Sequence, residues 1–216
     1  MVTNLAAVVG CFLVGGIPVG LLIARACGID DIRKYGSGNI GASNVLRTVG
    51  ARPALVVWLV DIAKGALPTL VAATLLQLGG WWYASAAFAT ILGHCFSPYL
   101  RFAGGRGVAT SLGVLLALDW RVGVLALSIW IVLTFVTRYI SLSSILAALS
   151  ATPLYWLFSG TADIELLVCI LTMGLLIAVR HAPNIGRLLS GTETKVGQKA
   201  KELQEDAEDE QQADES

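Results

Sequence analysis

Charge is scarce in this chain. Of its 216 residues, 14% are Asp, Glu, Lys or Arg, where a soluble globular domain carries about 25%. Histidine occurs twice, and the four cysteines (Cys11, Cys27, Cys95 and Cys169) stand in or beside apolar stretches at unrelated spacings, without a CxxC pair. Neither His94 nor His181 lies at zinc-finger distance from a cysteine pair, so the thiols read as small buried hydrophobes. A Gly-x-Ser-x-Gly elbow is missing, which argues against a serine acyl-enzyme. No metal site and no cofactor are therefore expected.

The apolar residues, by contrast, make up 56% of the chain, with a mean hydropathy of +0.72. The glycine count of 23 is high, and glycine suits closely packed membrane helices. Long apolar runs cover residues 4–24, 54–77, 81–100, 122–137, 141–158 and 164–179, each near the ~20 residues that cross a bilayer. The first run is too long for a signal-peptide core, has no basic residue before it and reaches Arg25 without a small-residue cleavage site, so it is expected to be a span. A shorter run, 107–118, would cover only ~18 Å as a helix. Counting it predicts an all-α, polytopic membrane protein of about seven transmembrane helices, one of them short, with the N-terminus outside and the C-terminus cytoplasmic. Thirteen of the fifteen Lys and Arg residues then fall on the cytoplasmic side, with Arg121 outside and Lys64 inside a span, as the positive-inside rule requires.

The formal net charge of zero conceals an asymmetry. Eight acidic residues and no basic one lie from Glu202 onward, leaving fifteen Lys and Arg against seven Asp and Glu in the remainder. A basic body suits anionic lipid or phosphorylated substrates, and no nucleic-acid partner is expected. Residues 1–191 form the expected membrane domain, and 192–216 an acidic cytoplasmic tail expected to be disordered.

Three polar segments interrupt the apolar pattern, all on the predicted cytoplasmic side. The first, GSGNIGASN over Gly36–Asn44, matches a dinucleotide fingerprint at Gly36, Gly38 and Gly41, but it follows a membrane helix instead of a strand. Its physics remains that of an anion site: glycine-rich backbone, a helix starting after Gly41, side chains of Ser37, Asn39, Ser43 and Asn44, and the guanidinium of Arg47. The second, GHCFSPYLRFAGGRGVAT over Gly93–Thr110, carries His94 late in a helix and Gly104-Gly105-Arg106-Gly107 at the start of the next. That turn is either a second anion site or a topology determinant, and His94 either a ligand or a packing residue. In the third, RHAPNIGRLLSGTE over Arg180–Glu193, a helix begun at Pro183 lines Asn184 and Arg187 along one side with His181 near its start. Arg187 serves there as a phosphate partner or a lipid anchor. Lys64, three residues after Asp61 within a span, implies an ion pair or a polar cavity.

Together the three segments resemble the signature of the bacterial acyl-phosphate-dependent glycerol-3-phosphate acyltransferases, the PlsY family: GSGNxGATN, GHxFxxFxxFKGGKGVAT and RHxxNxxRLLxGxE, in the same order. Asp61–Gly65, DIAKG, resembles a further feature of that family. Here Ser43 stands for threonine, Arg106 for the second motif's lysine and Ala103 for the lysine before it. The resemblance implies transfer of a fatty acyl group from acyl phosphate to the 1-hydroxyl of glycerol 3-phosphate, giving lysophosphatidic acid and phosphate. It implies a multi-pass protein of the bacterial inner membrane with its active face towards the cytoplasm, and admits as a partner the enzyme that makes acyl phosphate.

On this reading Ser37, Asn39, Ser43 and the amides of Gly36–Gly41 hold the donor phosphate or polarise its carbonyl. Arg47, Lys64 and Arg106 neutralise phosphates, while His181 and Asn184 orient the glycerol, with His181 or a substrate phosphate taking the proton. Asn44, His94, Gly104, Gly105 and Arg187 complete the expected binding set. A transporter of phosphorylated solutes would show internal repeats and polar groups at mid-membrane. A CDP-alcohol phosphotransferase would need a carboxylate cluster for a divalent metal, and the body's seven acidic residues are scattered.

Overall fold

The computed structural model describes residues 1–198. Within them the chain is helical: α1 (Val2–Gly16), α2 (Val19–Ala26), α3 (Ala42–Thr48), α4 (Ala51–Thr74), α5 (Gly80–Cys95), α6 (Val108–Leu118), α7 (Trp120–Thr137), α8 (Ile140–Ser159), α9 (Ile164–Arg180) and α10 (Ala182–Leu189), with 3₁₀ turns at Ile32–Lys34 and Pro98–Leu100. Most of the expected acidic tail, 199–216, lies outside the described residues.

Four stretches are long and apolar enough to cross a membrane: Val2–Ala26, Ala51–Thr74, Trp120–Thr137 and Ile140–Ser159. Ile164–Arg180 with Ala182–Leu189, bent by 58° between them, makes a fifth, and Val108–Leu118 is the shorter apolar helix that the sequence predicts. The expected run 81–100 stops as a helix at Cys95, because Ser97 and Pro98 turn the chain into a 3₁₀ segment. Many leucine, valine and phenylalanine side chains face outward on these helices, among them Leu59, Leu67, Phe135 and Leu157. Such a surface has its solvent in lipid.

Helices α4, α5, α9, α8, α7 and α6 form a ring in which each packs on the next and α6 returns to α4, while α1 lies outside against α5 and α4. Several contacts in this arrangement depend on glycine, Gly15 and Gly113 among them. A β-carbon on Gly15 of α1 would overlap the Thr90 carbonyl of α5, and one on Gly113 of α6 would overlap the Ile62 carbonyl of α4. Backbones that approach so closely gain dispersion contacts, which in lipid replace the hydrophobic drive between helices. A core of Ile91, Val114, Val122, Ala151, Tyr155, Ile170 and Met173 fills the ring.

The helix of the first span is interrupted at Ile17–Pro18, though Val2–Ala26 continues as one stretch long enough to cross a membrane. The break leaves carbonyls without helical partners, and both are met from neighbouring elements. Ser97 Oγ donates to the Gly16 carbonyl at 2.6 Å and Lys64 Nζ to that of Ile17 at 2.8 Å.

Substituting Gly113 with leucine should lower the thermal unfolding temperature in detergent, the overlap with α4 costing about 1–3 kcal/mol. Gly10 has open space around it, so Gly10→Ala should leave the midpoint unchanged or raise it by the helix-propensity gain of up to ~1 kcal/mol.

Candidate active site

The three polar segments meet at one end of the helical ring, around a single cavity. Ser37, Asn39, Gly41, Ser43, Asn44, Arg47, His94, Arg106, His181 and Asn184 all line it, although they come from segments up to 147 residues apart (37 to 184). Gly36, Gly38, Lys64, Gly104, Gly105 and Arg187 are off its wall.

The first segment is organised by Asn44, which is 1% exposed. Its two amide protons are shared among the carbonyls of Ile32, Tyr35 and Asn39, and its oxygen accepts from the Ser37 amide at 2.8 Å. Asn39 Oδ1 accepts from the Gly41 amide at 2.8 Å. The expected nest of free amides is therefore partly occupied from within: the asparagines shape the loop, and Gly36 and Gly38 take the left-handed conformations (φ +58° and +67°) that the turn needs. Beyond Gly41 the predicted short helix forms as α3, carrying Ser43 and Arg47 to the cavity.

The second segment is held by two features. Arg180 donates to the carbonyls of Gly104 and Gly105 at 2.9 and 3.1 Å and stacks over Phe96. The His94 ring packs on Gly105 where a β-carbon would clash, with Nδ1 3.2 Å from Thr110 Oγ1. These contacts deliver Arg106 to the cavity and place the first turn of α6 beside it. The Ser111 hydroxyl in that turn, 3% exposed, has no hydrogen-bond partner among the described residues.

The third segment closes the site through Glu193. Its carboxylate accepts from Ser141 Oγ, Asn184 Nδ2 and Arg187 Nε, each at 2.7 Å. Burial raises the Glu193 pKa, but these three donors outweigh it and hold the group below its ordinary value. Asn184 Oδ1 is left buried and unpaired among the described residues, so it is free to accept from a hydroxyl. His181 Nδ1 lies 2.8 Å from the Ile177 carbonyl. A carbonyl only accepts, so Nδ1 carries the proton and Nε2 keeps the lone pair of a neutral imidazole.

Lys64 forms the ion pair expected of it and stands off the cavity wall. Its ammonium pairs with Asp61 at 2.8 Å, both side chains about 95% or more buried, and donates to Ile17. The charge excess at the cavity comes from arginines instead. Arg106 feels the charges of Arg187, Glu193, Arg47 and Arg180. Burial, and after it the Arg187 charge, lowers the Arg106 pKa to about 10. Arg47 and Arg106 on the wall, with Arg187 paired to Glu193 behind them, make a site that an anion would stabilise.

Glu193, Arg180, Ser141 and Ser111 escaped selection from the sequence. Glu193, four residues past the end of α10, and Arg180 are the last and first residues of the third motif; the serines sit in apolar helices and offered no signal.

A family model described as glycerol-3-phosphate acyltransferase matches residues 5–191. The glycerol-3-phosphate acyltransferase of Dinoroseobacter shibae is 46% identical over 91% of this chain and 95% of its own. That of a Synechococcus strain is 43% identical over 92% and 98%. Among solved structures, PlsY (YgiH), an integral membrane glycerol 3-phosphate acyltransferase, in its glycerol 3-phosphate form superposes with a TM-score of 0.85 at 36% identity, covering 90% of this chain and 96% of that one. Its lysophosphatidic acid form gives 0.83 at 35% identity. A helical ring bathed in lipid, with an arginine-lined cavity at one end and relatives matching over nearly its whole length, belongs to the glycerol-3-phosphate acyltransferase family of integral membrane enzymes.

Proposed function

We propose that the protein transfers a fatty acyl group from acyl phosphate to the 1-hydroxyl of glycerol 3-phosphate, forming lysophosphatidic acid and inorganic phosphate for phospholipid synthesis. The observation that carries this reading is the cavity's polarity gradient. Arginines, serines and amides crowd one end, and the wall continues between α6, α7, α8 and α9 through Leu115, Leu127, Ala147 and Ile170. A phosphate and an acyl chain on one donor molecule match those two halves.

In the proposed reaction the glycerol oxygen attacks the acyl carbonyl carbon and the bond from that carbon to the phosphate oxygen breaks. The phosphate leaves as an anion, so little general-acid help is needed. Arg47 and Arg106 draw in and neutralise phosphates, and Ser37, Asn39 and Ser43 hold the donor head. Asn184 Oδ1 accepts from a glycerol hydroxyl, and either His181 Nε2 or a substrate phosphate oxygen takes the proton. Holding both substrates in register supplies most of the acceleration, because acyl phosphate is already activated.

The topology that goes with this chemistry has seven crossings, the first being the broken α1–α2 pair and the short one α6. The polar end then faces the cytoplasm, the N-terminus lies outside, and the setting is the bacterial inner membrane. Residues 1–191 form the membrane acyltransferase domain and 192–216 its acidic cytoplasmic tail, with Glu193 at the junction bound into the site. The enzyme that makes acyl phosphate is a fitting neighbour, since its product would pass directly to this face.

Purified protein given palmitoyl phosphate and labelled glycerol 3-phosphate should release phosphate and form lysophosphatidic acid, whereas acyl-CoA and acyl carrier protein donors should be inert. Turnover with either thioester, but not with acyl phosphate, would overturn the donor assignment. Arg106→Gln should lower kcat/KM at least tenfold, the scale of a lost charge-assisted hydrogen bond of about 1.5–3 kcal/mol. Arg106→Lys should retain most of the rate, and His181→Ala should act mainly on kcat. Because the Glu193 pKa is depressed in the folded protein, its contribution to stability is complete above the ordinary carboxyl value of 4.5 and is lost as pH falls through the lower folded value. Thermal unfolding of the wild type should therefore exceed that of Glu193→Gln at neutral pH, and the two should converge in acid.

A further inference from the structure

The proposed donor leaves the length of its acyl chain open, and the apolar half of the cavity carries that choice. The lining runs from the polar end inward in the same order on three helices. On α8 it passes from Ser141 to Ala151, on α9 from Ile177 to Ile170, and on α7 from Trp130 to Ala126. Ten residues of α8 at 1.5 Å each give the channel a depth of about 15 Å below Ser141.

The channel has a closed end. Ala126, Ala151 and Ile170 are 5%, 1% and 1% exposed, so the inner wall is sealed from lipid. One helical turn beyond the two alanines lie Val122 and Tyr155, 0% and 2% exposed, which belong to the same core cluster but no longer to the cavity wall. The space therefore stops where two methyl side chains give way to a packed valine and a buried aromatic ring.

We propose that Ala151 and Ala126, backed by Tyr155 and Val122, are the specificity-determining end wall that measures the donor's acyl chain. The inference rests on the acyl phosphate reading of the same cavity. Bulk added at the end wall removes space only from the terminal methylenes, so it discriminates by length and leaves the phosphate end untouched. One methylene too many or too few in an apolar pocket typically changes selectivity by about 10–200-fold, and a packed interior yields little to relieve the mismatch.

The test is a chain-length profile, kcat/KM for saturated acyl phosphates from lauroyl to stearoyl, with glycerol 3-phosphate saturating. Ala151→Phe should lower the rate with the longest donors at least tenfold relative to the shortest. Tyr155→Ala should move the optimum towards longer chains. Leu149→Phe, on the outward face of α8, should leave the profile unchanged. If Ala151→Phe does not fold, Ala126→Leu on the opposite wall must produce the same shortening. An equal loss at every length, or an unchanged profile in folded Ala151→Phe and Ala126→Leu, would overturn the end-wall assignment while the donor reading stands. Wild-type protein that turns over no acyl phosphate of any length would overturn the donor reading and the end wall with it.

Discussion

In hydrocarbon every backbone polar group must find a partner within the protein, and the shape of this molecule follows from how that demand is met where helices break. The Ile17–Pro18 break opens the first span, and a buried lysine answers it. Lys64 reaches from α4 to the Ile17 carbonyl and is itself held by Asp61 at 2.8 Å. Asp61 in turn lies 3.9 Å from His94, whose ring packs against Gly105. A buried ion pair is weak evidence of stability by itself, since desolvation offsets much of its attraction. Its value here is positional, because one cluster ties α1, α4, α5 and the loop before α6 into a common frame.

That frame sets the electrostatics of the polar end. Arg106 feels the like charges of Arg47, Arg180 and Arg187, the four together coming from all three polar segments, an arrangement that an anion would relieve. Glu193 restrains it by accepting hydrogen bonds from Ser141, Asn184 and Arg187, and Arg180 is taken up by the carbonyls of Gly104 and Gly105. Arg47 and Arg106 remain as the cations on the cavity wall. A bound anion would complete the local charge balance there.

Much of the fold was legible because apolar run length answers directly to the bilayer. The short helix after residue 107, the helix after Gly41 and the Asp61–Lys64 pair could all be read locally, and each is present. The roles within motifs were less legible. Asn44 and Lys64 look like ligands in a linear reading because polar groups in or beside membrane helices are costly and so draw suspicion. Only the packed structure reveals that the Asn44 amide holds three carbonyls of its own loop and that Lys64 serves a carbonyl 47 residues away. Ser141 and Ser111 were invisible for the opposite reason, since serine in an apolar helix ordinarily bonds back to its own turn.

The sequence by itself determined the solvent, the helical class, the basic balance of the residues before the acidic tail and the three polar segments that meet at the cavity. Each of these depends on composition or on residues close together in the chain. The tertiary structure decided which of those residues share a wall and that Glu193 joins them. Those are properties of helices meeting at particular depths. They depend on close approaches, such as Gly113 against Ile62 and Gly105 against His94, that exist only once the ring has closed.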